Sequence, residues 1–257
     1  PRVRFNLGWY ALKDGDFLQG FKNMDSGRQL GAFGGARNFK NPLYNGECIK
    51  NKTLLFACEG GLGDEIINIR FTKKFKDLGA KVIVGCSNEL FCIFKELDYI
   101  SGLVDRNVCI HTHHDYWVPA MSAPMHLTMQ YPDLDGNPYL NFFSKRWVPK
   151  NESKFKVGIR WAGSPKFEQQ QLRKFPIEKI LELTQIRNMT FYSLQRDQDL
   201  TESDCFIDMQ YEMKTWKDTA EITASMDLII TSCTSIAHLS AAMGKPTWVI
   251  IPLLPYY

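Results

Sequence analysis

From Lys52 onward the chain alternates short apolar runs with amphipathic stretches, and it completes that series twice. Such alternation predicts parallel strands joined by helical crossovers, because a parallel strand cannot return to its neighbour through a tight hairpin. In the first series TLLFACE (53–59) reads as a buried strand, GGLGD (60–64) as a tight loop and EIINIRFTKKFKDL (65–78) as a helix closed by Gly79. KVIVGC (81–86), SNELFCIFKEL (87–97) and VCIHT (108–112) follow as strand, helix and strand. The second series runs KVGIRW (156–161), a helix over 176–187 with Pro176 in its first turn, TFYSLQ (190–195) and a short CFID strand. It continues with the helix TWKDTAEITASM, the strand DLIITS (227–232), the helix SIAHLSAAM and the strand TWVIIP (247–252). Two such series predict an α/β chain of two doubly wound domains facing each other across a cleft. The loops after 59, 112, 161, 195 and 232 should line it, since open α/β sheets take ligands at the carboxyl ends of their strands.

Residues 1–50 differ: NLGWYALKDGDFLQGFKNMD has helical spacing broken at Asp14-Gly15-Asp16, which predicts a helical hairpin, and a Gly- and Asn-rich connector follows. The expected division is therefore 1–50 for the hairpin and connector, 51–150 for the first α/β domain and 151–257 for the second, with the irregular stretch 117–154 lining the site and linking the two. A length of 257 residues allows two cores, and 44% hydrophobic with 23% charged residues is the balance of a globular protein. A net charge of +3 with no Lys/Arg run argues against nucleic acid as a partner and suits a small anionic ligand. Seven cysteines without a C-x-x-C pair, several inside apolar runs, read as buried free thiols of a reducing compartment. No apolar stretch approaches the ~20 residues of a membrane span, and the chain opens on charged PRVR rather than a leader. A cytoplasmic protein is expected.

Three loops between strand and helix carry candidate chemistry. Glu59-Gly60-Gly61-Leu62-Gly63-Asp64-Glu65 reads either as a ligand loop, with Gly61 and Gly63 letting the backbone turn tightly and approach a ligand, Asp64 at the start of a helix and Glu65 a further candidate, or as a structural turn with Asp64 as a helix N-cap. It matches neither the Walker loop nor G-x-G-x-x-G. Thr231-Ser232-Cys233-Thr234-Ser235-Ile236-Ala237-His238 reads either as a diphosphate site at a helix N-terminus or as ordinary hydroxyl capping with His238 packed on the sheet. In Arg160-Trp161-Ala162-Gly163-Ser164-Pro165, with Lys166 and Arg173 beyond, a cation either balances a leaving diphosphate or belongs to a solvated loop. His111, His113, His114 and Asp115 lack forced metal geometry in an extended segment, and Asp133-Leu134-Asp135-Gly136 reads as a turn, so no metal site is expected.

In order along the chain these pieces resemble one family. EGGLGDEIINIRF resembles the E-Q-G-L-G-D-x-I-x-x-x-R-F segment of bacterial tetratricopeptide-linked glycosyltransferase-like proteins. VGIRWAGSP, YSLQ and DTAEITASMDLIITSCTSIAHLSAAMGKPTWVIIP resemble their V-G-L-x-W-x-G-x-P strand, their V-S-L-Q and their D-T-S-x-A-H block. Those proteins are related to the lipopolysaccharide heptosyltransferases. The match spans roughly 50–254, and NLGWYALKDGDFLQGF is similar to a last tetratricopeptide hairpin.

The resemblance implies a GT-B fold of two Rossmann-like domains, acceptor domain first and donor domain second, and a metal-independent inverting transferase. It needs no cofactor beyond its nucleotide-sugar co-substrate and acts on a glycan or protein acceptor; in a non-catalytic alternative, the helical hairpin serves as the contact for a protein partner. It implies Asp64 as general base, Thr234, Ser235 and His238 on the donor phosphates, Arg173 beside them, and Ser193 with Gln195 at a strand end near the nucleotide. Cys233 stands where the family has Asp, and the family continues past Pro252, so the second domain is expected to be incomplete. Cys233 keeps a non-catalytic binding or assembly module as the alternative. A dinucleotide-dependent oxidoreductase ranks third, because no acidic residue ends the second strand to hold a ribose.

Overall fold

Leu54, Leu55 and Phe56 are consecutive apolar residues, a run that suits a strand covered on both faces. They form the middle of β1 (Thr53–Ala57) and are fully buried. The computed structural model describes residues 1–34, 38–141, 143–144, 154–163, 173–196 and 205–251. It divides into two compact units, Pro1–Gly136 and Asn137–Pro255.

The first unit opens with α1 (Arg2–Lys13) and α2 (Phe17–Met24), joined by a turn in which Gly15 has φ +82°. Asp16 caps α2 by accepting the Gln19 N–H at 3.2 Å. The two helices approach closely because their crossing points lack side chains: a Cβ on Gly8 would lie 2.8 Å from Met24, and one on Gly20 2.6 Å from Leu12. After β1 come α3 (Leu62–Asn68), α4 (Thr72–Asp77), β2 (Lys81–Cys86), α5 (Phe91–Phe94), β3 (Gly102–Asp105), β4 (Tyr116–Pro119) and α6 (Ala123–His126). The strands form a parallel sheet in the order β3-β2-β1-β4. Strand order reverses at β1, the point at which doubly wound sheets receive ligands, and Cys58-Glu59-Gly60 leave the sheet at the carboxyl end of that strand.

The second unit contains β5 (Phe155–Arg160), α7 (Ile177–Leu181), β6 (Met189–Ser193), β7 (Ile207–Asp208), α8 (Trp216–Ala224), β8 (Leu228–Ser232), α9 (Ser235–Ala242) and β9 (Thr247–Ile250). Its sheet is also parallel, ordered β7-β6-β5-β8-β9, with the reversal at β5. Val157, Ile159, Phe191 and Ile230 form its core with Trp161 and Phe206. The helix α8 begins at a reciprocal cap in which Asp218 N–H donates to Thr215 Oγ1 (3.1 Å) and Thr215 N–H to Asp218 Oδ2 (2.9 Å). At the sheet's edge β9 leaves Trp248 64% exposed, and Ile251 just beyond it 60%.

Several elements differ from the sequence expectation. The run 108–112 is not a strand: Cys109–His111 is a 3₁₀ turn, and the strands lie on either side of it as β3 and β4. Asp105 ends β3 by accepting the Asn107 N–H at 2.7 Å, and Cys109 turns inward against Gly85, whose missing side chain leaves the space. The stretch expected to be irregular after Trp117 therefore begins inside a strand that pairs with β1. The helix expected over 65–78 is two helices separated by a 3₁₀ turn at Ile69–Phe71, where Thr72 Oγ1 bonds back to the Ile69 carbonyl. The helix expected over 176–187 is α7 followed by a 3₁₀ turn, with Pro176 at the N-cap rather than inside the first turn.

Candidate functional site

In the first unit the loop after β1 is built around Gly60, whose φ of +70° favours glycine. A Cβ there would lie 2.5 Å from Asp64 Oδ2, so the Asp64 carboxylate is folded back over this residue. The same Oδ2 accepts the Gly61 N–H at 2.7 Å. Gly61 is the N-cap of α3, and Asp64 is its third residue rather than the cap itself; Gly63 lies between them in the first turn. Asp64 is half-buried.

Glu65 points the other way and is fully buried. Its carboxylate accepts Ser87 N–H (2.8 Å), Ser87 O–H (2.7 Å) and Arg106 Nη1 (2.7 Å). Burial pushes its carboxyl above the ordinary range, against the opposing pull of the Ser87 hydrogen bonds and Arg106. Of the two carboxylates in this loop, Glu65 is committed to the interior and Asp64 to the loop surface. Glu59, at the end of β1, is nearly buried and accepts both Arg28 nitrogens, Nη2 at 2.9 Å. Arg28 also donates to Asp25 (2.7 Å) and Ser122 (2.7 Å). Burial works to lower the Arg28 pKa, but its bonds and charge contacts with Glu59 and Asp25 outweigh that and raise it.

In the second unit the carboxyl end of β8 runs into α9 through Cys233 and Thr234. Thr234 is the N-cap with extended backbone (φ −134°, ψ 174°), yet its side chain makes no capping bond to α9; its hydroxyl lies 3.1 Å from that of Thr231. Ser235 opens the helix and His238 follows within its first turns, both half-buried. Ser232 Oγ, just before them, is buried and has no hydrogen-bond partner. Across β5, the buried Ser193 and Gln195 stand at and just beyond the end of β6. Gln195 Oε1 accepts the Ala162 N–H at 3.2 Å, and its Nε2 is buried without a partner.

Arg160 is buried and donates to the Ala162 carbonyl (3.1 Å) and the Leu194 carbonyl (3.2 Å), so it ties the ends of β5 and β6 together rather than reaching out as a free cation. Arg173 is half-buried, close in sequence to Phe175, whose N–H returns to the Trp161 carbonyl at 3.1 Å. Ser164, Pro165 and Lys166 lie outside the described residues. The structure thus groups Gly61, Gly63, Asp64 and Glu65 at one strand end, and Thr234, Ser235, His238, Ser193, Gln195 and Arg160 at the strand ends of the other sheet.

Sequence reasoning missed Arg106, Arg28 and Ser232. Arg106 follows β3, a strand expected elsewhere, so its approach to the glycine loop was hidden; Ser232 was visible only as part of a hydroxyl-rich run. Among the described residues, no group of three or more His, Cys, Asp or Glu side chains is placed to hold a metal. His114 Nδ1 instead lies 2.6 Å from the Thr112 carbonyl, and Asp133 accepts the Gln130 N–H at 2.8 Å. Among the described residues the seven cysteines form no disulfide, and Cys58, Cys86 and Cys109 are buried. No helix among the described residues is long and apolar enough to cross a membrane.

Two parallel sheets with this strand order define a doubly wound α/β fold, and solved heptosyltransferases share it. The iron-containing dodecameric heptosyltransferase TibC of enterotoxigenic E. coli, in complex with ADP-D-β-D-heptose, matches with TM-score 0.62 at 10% identity over 79% of this chain and 59% of TibC. E. coli heptosyltransferase WaaC with ADP-2-deoxy-2-fluoro heptose matches with TM-score 0.54 at 9% identity, over 80% of this chain and 90% of that one. A family 9 glycosyl transferase of Veillonella parvula matches with TM-score 0.56 at 10% identity, over 80% and 82%. At such identities the likeness is one of fold. No protein-family model matches the sequence, and no curated protein matches it.

Proposed function

We infer that this chain is a glycosyltransferase module of the GT-B kind, moving a sugar from a nucleoside diphosphate donor to a hydroxyl of a glycan or protein. The observation that carries this reading is the buried, unpartnered Ser232 hydroxyl before α9, at a strand end where doubly wound sheets receive ligands. A helix N-terminus whose cap makes no side-chain bond offers N–H groups and a positive dipole end to a diphosphate. Ser235, His238 and Arg173 supply further donors, with Ser193 and Gln195 on the nucleoside side.

Asp64 takes the proton of the acceptor hydroxyl as its oxygen attacks the anomeric carbon. The bond to the diphosphate breaks on the opposite face, which inverts the centre. The electron pair leaves on the phosphate oxygen, where the α9 N-terminus and Arg173 stabilise the charge, so the reading asks for no metal or other cofactor. Heptosyltransferases that bind ADP-sugars share this fold, which supports the donor class. The two helices at the amino end serve as a tetratricopeptide-like contact for a protein partner; the exposure of Val3, Leu7 and Tyr10 along α1 supports that role. Cysteines that form no disulfide fit a reducing, cytoplasmic setting.

Titration with a panel of nucleoside diphosphates tests the donor site, and Asp64→Asn tests the chemistry. The variant should lose transfer by about 10²-fold or more while binding nucleotide as the wild type does. Retained turnover removes Asp64 from the mechanism. Binding by none of the nucleotides favours the non-catalytic module, for which Cys233 is the supporting residue.

A further inference from the structure

The carboxylate assigned as base sits on a loop whose shape depends on a residue two strands away. Arg106, immediately after β3, donates through Nη1 to the Gly60 carbonyl at 2.9 Å and to the Glu65 carboxylate at 2.7 Å. Gly60 lies directly under the Asp64 carboxylate, and Glu65 is its chain neighbour. One guanidinium group therefore holds both sides of the turn that presents Asp64.

Glu65 has no other latitude. It is fully buried, and Ser87, which follows β2, donates to it through both N–H and O–H. The first turn of α3 is thus pinned to the ends of β2 and β3, while the Asp64 side chain is pinned to Gly61. A buried polar network with all its members bonded fixes a single geometry.

We propose that Arg106 and Glu65 form a positioning clamp, which sets the Gly60–Asp64 turn and so aims the Asp64 carboxylate at the acceptor hydroxyl. Neither residue touches the reacting atoms. This inference rests on the reading of Asp64 as the base, but it makes a claim about the loop that stands apart from turnover. If a guanidinium defines the turn, its loss leaves Asp64 present and misplaced, and misplacement by about 1 Å lowers a rate about 10²-fold.

Arg106→Gln alone strands a buried carboxylate, so the test variant is the double Glu65→Gln/Arg106→Gln, which leaves no unpaired charge; Arg106→Lys is the conservative comparison. The first measurement is amide hydrogen exchange at Gly61, whose N–H is held by Asp64. In the double variant it should quicken about tenfold or more, with the amides of Leu54, Leu55 and Phe56 unchanged. Arg106→Lys, which keeps the charge on a single nitrogen but loses the planar guanidinium, should fall between. The second measurement is kcat against KM for the donor: kcat falls about 10²-fold, while donor KM stays within about twofold.

Unaltered Gly61 exchange in the double variant overturns the clamp, whatever the rates show. A loss confined to donor KM overturns it too. Absence of transfer by the wild type overturns the proposed reaction instead, and the exchange measurement still decides whether the clamp shapes the loop.

Discussion

Ser232 is a hydroxyl enclosed at a strand end with nothing to bond. Leaving such a group unmet costs a folded chain about 1–3 kcal/mol, which a bound oxygen atom would recover. Ser232→Ala should therefore raise the melting temperature of the ligand-free protein and weaken nucleoside diphosphate binding by about tenfold, roughly 1.4 kcal/mol. Thermal unfolding with and without nucleotide checks both signs at once; a fall in both would make Ser232 purely structural. Glu65 makes a prediction of the opposite kind. Burial raises its folded pKa above the ordinary 4.5, so as pH rises past that value the unfolded chain releases its proton first. Stability held by the protonated form is full below 4.5 and is lost through the window up to the folded pKa. Glu65→Gln carries no such loss, so melting curves at stepped pH should show its stability improving relative to wild type across that window. A constant difference would mean the carboxyl titrates alike in both states. Asp64 and Glu65 were legible in the sequence as candidate residues of the glycine loop, but their division into one inward and one outward group was not, because the inward group's partners, Ser87 and Arg106, come from other elements.

At the level of elements, the helical pair α1 and α2 is part of the first unit and not an appendage. Arg28, just after α2, grips Glu59 with two nitrogens and reaches Ser122 at the start of α6. The pair thus fastens the strand end from which the glycine loop departs, and α2 packs on α6. Arg28→Ala should destabilise the first unit by about 3 kcal/mol, since it leaves a nearly buried carboxylate without its cation. Chemical denaturation measures the loss, and Glu59→Gln in the same background should recover part of it. Apolar patterning announced β1, β2, β5, β6 and β8 almost to the residue, because each buries most of its side chains, and β1, β2 and β8 also carry an uninterrupted apolar run. Patterning failed at β3, whose Gly-Leu-Val-Asp is short and half-buried, and the richer run at 108–112 drew the assignment instead. Amphipathic spacing also could not show the 3₁₀ breaks after α3 and α7, where side-chain bonds and short turns interrupt the ladder.

Across the whole molecule, the same strand order recurs in both sheets, and each reverses at its first strand. That recurrence was readable from the repeated series of strand and helix signals, and it explains why similarity of fold survives at 9–11% identity. The residues at the strand ends were less readable, since a hydroxyl-rich helix start looks the same whether it meets a ligand or only itself. One further property follows from the outer strand β9. Its Trp248, Val249 and Ile250 face solvent, and among the described residues no strand pairs with its far side. A concentrated solution of this protein should therefore coarsen by edge-to-edge contact, limited by colloidal stickiness rather than by unfolding. Trp248→Lys should keep light-scattering radii constant to higher concentration at an unchanged melting temperature; equal growth of the radii in both proteins would place the sticky surface elsewhere.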